Sequence, residues 1–127
     1  MIRDEKGSAL VEMALVMPIL LLLLCGIVEF GRVFHAYIVV QQAARDAVRY
    51  ASLGSSNDVL QSVIEQDMTS LDVTRMRYEV RPSESERTAG ETVTVDITYD
   101  HALLIPYLRG VIPDTISLNS EISMRME

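Results

Sequence analysis

The chain has 127 residues, a formal net charge of −7 and one cysteine. That length suits a single modest domain with a limited core. The acidic balance supplies no basic face for nucleic acid, and a lone cysteine excludes an intrachain disulfide.

Residues 1–7 form a short charged leader with Arg3, Asp4, Glu5 and Lys6, and it ends in Gly7. A mostly apolar run follows, from Ala9 to Val28, interrupted only by Glu12, Pro18 and Gly26. At ~1.5 Å per residue a helix of this length spans ~30 Å, the hydrocarbon thickness of a bilayer. From Met13 to Cys25 no polar stripe recurs at helical spacing, so lipid suits the segment better than a protein core. The residues after it, Glu29 to Phe34, offer no small-x-small cleavage site, which predicts a retained anchor. Orientation is weakly set by charge, because Arg3 and Lys6 on one side face Arg32, Arg45 and Arg49 on the other. A short charged N-terminus before the first span is most simply cytoplasmic, with the bulk of the chain outside. Cys25 reads as a small apolar residue facing lipid or a neighbouring helix. A lipidation signal around it would want a small residue where Leu24 stands.

Lys6-Gly7-Ser8-Ala9-Leu10-Val11-Glu12 is the most informative stretch. Counted from Ser8, Glu12 is the fifth residue. The arrangement resembles the class III leader of type IV pilins and pseudopilins. That resemblance implies a membrane aspartyl peptidase that cuts after Gly7 on the cytoplasmic side. A glycine lets the backbone enter a narrow peptidase site in extended form. A cut there removes the leader, keeps the anchor and leaves a positive amine on Ser8. A carboxylate at mid-bilayer costs ~2.5–3.5 kcal/mol on insertion scales, and less near the interface. The pilin resemblance implies that Glu12 offsets this by pairing with the amine of a neighbouring subunit, so that subunits join in register. The plainer reading is a carboxylate that snorkels to the headgroups. Pro18 removes one backbone bond and predicts a kink or a loosened turn. It reads either as a bend used in assembly or as a tolerated membrane proline.

Beyond the membrane the helix is predicted to continue to Leu53. Val40, Ala43, Ala44, Ala47, Val48 and Ala51 recur at helical spacing, and Gly54 is a stop signal. A helix from Ser8 to Leu53 would be ~70 Å long. Arg45 and Arg49, four apart, share its polar face, which reads as solvated or as a contact with neighbouring subunits. Ser55-Ser56-Asn57 predicts a turn and cap before a short helix, Asp58 to Ser70. Its apolar stripe is Val59, Leu60, Val63, Ile64 and Met68. The period then changes to two. Met76, Tyr78 and Val80 predict one strand, and Val93, Val95, Ile97 and Tyr99 a second. Ile116, Leu118, Ile122, Met124 and Met126 predict a third. Pro82 to Gly90 reads as a polar loop with Glu84 and Glu86 solvated. His101 to Asp114 reads as an irregular connection whose leucines cover one edge of the core. The expected fold is α+β and pilin-like: a long N-terminal helix, half membrane and half amphipathic, a short second helix and a three-stranded antiparallel sheet. The expected division is 1–7 leader, 8–28 transmembrane helix and 29–127 outer domain, which includes the helix continuation 29–53.

Nothing in the pattern points to catalysis or to a cofactor. His35 and His101 have no ligand-spaced partners, and no HExxH, Cys/His cluster, phosphate-cradling loop or nucleophile elbow is present. The sequence therefore predicts no enzyme, no catalytic residue, no metal and no small-molecule substrate.

Several blocks together resemble the TadE-like family of tight-adherence (Flp-type) pilus assembly proteins. They are Gly7-Ser8-Ala9-Leu10-Val11-Glu12, the span with Pro18, Gly26-Ile27-Val28-Glu29-Phe30-Gly31-Arg32 and Ala43-Ala44-Arg45-Asp46-Ala47-Val48-Arg49-Tyr50-Ala51. The strand Val93 to Tyr99, Leu103-Leu104-Ile105-Pro106 and the closing Met124-Arg125-Met126-Glu127 continue it. The resemblance implies a minor pilin or pseudopilin, non-enzymatic, cut by a prepilin peptidase. Its implied partners are other pilins, pilus-assembly membrane proteins and the bilayer. The major pilins of these systems follow the glutamate with tyrosine and are much shorter. Here Met13 follows Glu12. The competing reading is an uncut, membrane-anchored binding module on the cell surface. It would keep residues 1–7 and would not need Glu12.

Overall fold

The structure, a computed structural model, describes residues 2–104 and 110–127. The architecture is α+β, with two helices and a three-stranded antiparallel sheet in the order β1-β2-β3. The elements are α1 (Ile2–Ser52), α2 (Asn57–Asp67), β1 (Met76–Arg81), β2 (Thr92–Ala102) and β3 (Thr115–Arg125). The chain divides into two compact units, one up to Arg32 and one from Val33 to Glu127.

In the first unit, α1 begins upstream of the predicted start and runs through the predicted leader. Asp4 and Glu5 in its first turn suit the positive end of the helix dipole. The helix also continues through Pro18, despite the missing N–H at that position. From Leu10 to Leu24 its large apolar side chains are exposed.

The second unit holds the core. The α1 face that meets it is Ala36, Val40, Ala43, Ala44, Ala47, Val48 and Ala51, all fully buried. These residues are small, so other elements can approach the helix backbone closely. The bulk comes from Leu60, Ile64 and Met68, and from Val93, Val95, Ile97 and Tyr99 on β2. Strict alternation along β2 puts these four inward and Thr94, Asp96 and Thr98 outward. Tyr78 and Ser120 flank Ile97, and Val80 and Ile122 flank Val95.

α1 ends as the glycine predicts. Gly54 has φ +83°, the Ser55 N–H donates to the Tyr50 carbonyl (3.2 Å), and the Gly54 N–H donates to the Ala51 carbonyl (3.0 Å). This is a Schellman closure, in which glycine takes the left-handed position without a Cβ clash. α2 is shorter than predicted, ending at Asp67. Ser56 at its N-cap makes no side-chain hydrogen bond. Glu84, predicted to be merely solvated, accepts the Asn57 N–H instead (3.0 Å). Arg87 fixes the same loop by donating to the Pro82 and Ser55 carbonyls (3.1 and 3.4 Å). The connection after β2 departs from expectation too. β2 runs on through Ala102, and Leu104 is 66% exposed, so it does not cover a core edge. The pleat, continued two residues beyond Tyr99, directs His101 inward, where it is buried. Residues 105–109 of that predicted connection lie outside the described residues.

Candidate assembly surface

Gly7, Ser8, Glu12 and Pro18 all lie on α1 within the first unit. Ser8 and Glu12 are four apart, so one helical turn separates them on one face. Asp4 lies one turn before Ser8 on that same face. Pro18 is six residues beyond Glu12 and belongs to a different face. Glu12 is exposed, and among the described residues it makes no hydrogen bond or ion pair. Leu10, Val11, Met13, Leu15 and Val16 around it are exposed as well. The arrangement is a single carboxylate on an otherwise apolar, outward-facing helix. Its chemistry is pairing: it can take a cation from outside the chain as its partner. The helix is long and apolar enough to cross a membrane.

Near the end of the first unit lies an ion pair between Glu29 and Arg32. Glu29 is 8% exposed, and both its oxygens accept from Arg32 Nη1, at 3.0 and 3.2 Å. The signal was available as an i, i+3 pair of opposite charges directly after the apolar run.

Arg45 and Arg49 belong to the second unit. Both are exposed one turn apart, as a polar helical face requires. Arg45 lies beside Tyr37, Ile38, Gln41 and Gln42, along a shallow groove. Arg49 borders a cleft of ≈ 430 Å³ lined also by Asp46, Tyr50, Leu53, Val63, Gln66 and Asp67. Two carboxylates meet there, Asp46 from α1 and Asp67 at the end of α2. Burial pushes the Asp67 carboxyl above its ordinary range, and the hydrogen bond and charge of Asp46 push it further the same way. One Asp67 oxygen, Oδ2, is buried without a hydrogen-bond partner. Sequence could not foresee this pair, because it depends on how α2 returns against α1. Among the described residues no group of three or more His, Cys, Asp or Glu is placed to hold a metal ion.

The raised Asp67 pKa carries a sign. The folded state holds this proton more tightly than the unfolded state. The stabilisation is therefore full at low pH, below the unfolded value, and is lost as pH rises through the folded one. Asp67→Asn is expected to raise stability at pH 7 by up to about 1 kcal/mol, a small gain because solvent screens a partly exposed pair. It should also flatten the rise in stability of the second unit on acidification through the carboxylate range. Urea titrations of both proteins across pH check this. An Asp67→Asn variant whose pH profile matches the parent would remove the pair as its cause.

Residues 7–49 match a family model described as TadE-like protein. The match covers every residue singled out above for assembly: Gly7, Ser8, Glu12, Pro18, Arg45 and Arg49. It also covers Glu29 and Arg32, and it ends before α2 and the sheet. The matched segment thus lies wholly within α1. No curated protein and no solved structure matches the chain.

Proposed function

We propose that this chain is a non-enzymatic minor pilin or pseudopilin that takes part in assembling a tight-adherence, type IV-like pilus. In this reading residues 1–7 are a leader in the cytoplasm and 8–28 cross the cytoplasmic membrane of a bacterium once. Residues 29–127 form the outer domain. A prepilin peptidase hydrolyses the Gly7–Ser8 bond, leaving a carboxylate on Gly7 and an amine on Ser8. The observation that carries the reading is Glu12. It is the single charged residue between Gly7 and Val28, it is exposed, and it stands on the Ser8 face of a TadE-like helix. Pro18, inside the same span, is the second residue assigned to assembly, through the backbone bond it removes from the packed helix. Arg45 and Arg49 are assigned to contacts with neighbouring subunits, because both are exposed and cationic on an acidic protein.

One observation favours the competing reading of an uncut surface-binding module. α1 is helical through Gly7, so the scissile bond is not presented in extended form before the peptidase acts. The peptidase would have to unwind the first turns. Glycine makes this easier, because it is ~1 kcal/mol less favourable than alanine inside a helix.

The deciding experiment is N-terminal sequencing and intact mass of the protein from its native membrane. A chain that begins at Ser8, lighter by residues 1–7, is expected. A change of Gly7 to a bulky residue should then leave the full-length form. Recovery of only the chain beginning at Met1 would overturn the processing claim and leave the uncut module in front.

A further inference from the structure

β3 is an edge strand of eleven residues, and every one of them pairs with β2. Among the described residues its other edge has no strand beside it. Such an edge carries a row of N–H and C=O groups free to pair with another chain. Proteins usually blunt it with proline, lysine, a bulge or a very short strand. β3 contains no proline and no lysine, its register against β2 is unbroken, and its charged side chains are two in eleven residues, Glu121 and Arg125. The other edge strand, β1, has only six residues and carries Arg77, Glu79 and Arg81.

The side chains of β3 indicate which strand fits. Its core-facing row is Ile116, Leu118, Ser120, Ile122 and Met124. Ile116, Leu118 and Ile122 are only half-buried, and Met124 is 41% exposed, so the apolar layer is left incomplete at this rim. Ser120, the midpoint of the strand, is 3% exposed, and its Oγ has no hydrogen-bond partner. A buried hydroxyl without a partner is unusual enough to need a reason.

We infer that β3 is a self-pairing edge: two copies of this chain join their sheets through antiparallel β3 strands with the two-fold axis at Ser120. In that register Ile116 faces the partner copy's Met124, and Leu118 its Ile122. Each apolar residue of the rim therefore meets another one. The two Ser120 residues stand opposite each other at the axis, and each enclosed hydroxyl gains a partner there when its side chain rotates toward the strand edge. On the outer face Asn119 meets Glu121, Ser117 meets Ser123, and Thr115 meets Arg125, so no like charges stand opposite. A slip of one residue in the sum of paired positions would put apolar side chains opposite the polar outer row. A single strand pair buries less than the ~1,000 Å² of a stable complex. The contact therefore operates between chains already concentrated together, and it depends on neither the Gly7 cut nor Glu12.

The test is disulfide mapping with the full-length chain in lipid vesicles, in a Cys25→Ser background. Asn119→Cys protein mixed with Glu121→Cys protein is expected to give cross-linked dimer at least tenfold above either protein alone. Both positions are exposed, so neither change disturbs the core. A second pair of variants tests the register by charge. Ser117→Lys with Ser123→Lys sets lysine against lysine twice and should lower the cross-link at least fivefold. Ser117→Lys with Ser123→Glu sets opposite charges together and should retain it. The proposal fails if the mixed pair gives no dimer, if the two single variants cross-link to themselves as well as they do to each other, or if the two charge variants behave alike.

Discussion

If the chain is the pilin-type subunit proposed above, Glu12→Ala is expected to lower its incorporation into the pilus machine at least tenfold while leaving it inserted in the membrane. The argument is differential. A carboxylate costs ~2.5–3.5 kcal/mol at mid-bilayer and less near the interface, and a cation beside it offsets that cost. Once two chains supply the cation to each other, the offset becomes attraction between them. A tenfold loss corresponds to ~1.4 kcal/mol, below the mid-bilayer cost, as suits a carboxylate nearer the interface. Alanine inserts into lipid more readily than glutamate does, so a failure of assembly could not be blamed on a lost anchor. The proposed cut after Gly7 lies five residues earlier, so in that reading the variant should still begin at Ser8. The measurement is the amount of variant that cross-links to or co-purifies with other pilus proteins, alongside its intact mass. Wild-type incorporation of Glu12→Ala would defeat the assembly role and favour a surface-binding module. Glu12→Gln refines the result, since it keeps the shape and a hydrogen-bonding group but cannot form the ion pair.

Much of this fold could be read in the sequence, for reasons that differ by element. α1 was legible because Ala43, Ala44, Ala47, Val48 and Ala51 repeat with the helical period, and because Gly54 fits a Schellman closure. β2 was legible because its alternation is unbroken from Val93 to Tyr99. The α2 end was misjudged by three residues, because after Asp67 no glycine or proline marks the stop. What stayed hidden was tertiary. Glu84 looked solvated within a polar loop, yet that loop folds back to cap α2. Asp46 looked like one more polar residue on a helix face, and only the return of α2 brings Asp67 to it. Ser120 interrupts an otherwise apolar alternation in β3, a visible irregularity whose meaning depends on knowing that β3 is an edge. Among the candidate site residues, Ser8 and Glu12 could be set on one face by spacing alone. The buried state of Glu29 could not.

Ile97→Ala is expected to destabilise the second unit by about 2–5 kcal/mol, the usual range for an Ile-to-Ala change in a packed core. Ile97 lies on the central strand, fully buried between Tyr78 and Ser120. The site has little capacity to collapse. The α1 face of this core is mostly alanine, which has no longer side chain to swing into a cavity. The bulk of the core rests on a few residues, Leu60, Ile64, Met68 and Ile97. Domains of this size are stable by only ~5–15 kcal/mol, so one such cavity removes a large fraction of the total. Each kcal/mol shifts the melting temperature of a small domain by ~4–8 °C, so a fall of about 10 °C or more is expected. The chain has no tryptophan, and its five tyrosines, the buried Tyr99 among them, serve as the fluorescent reporters for melts of the full chain in detergent. Ile97→Val should fall by only ~0.5–1.5 kcal/mol. Ile38→Ala, on the exposed face of the same α1 segment, should change stability by no more than ~0.5 kcal/mol. If Ile97→Ala and Ile38→Ala melted together, the sheet would not be packed on this core. If they separate as expected, the outer face of α1, with Tyr37, Ile38, Arg45 and Arg49, can be altered to probe subunit contacts without disturbing the domain that displays it.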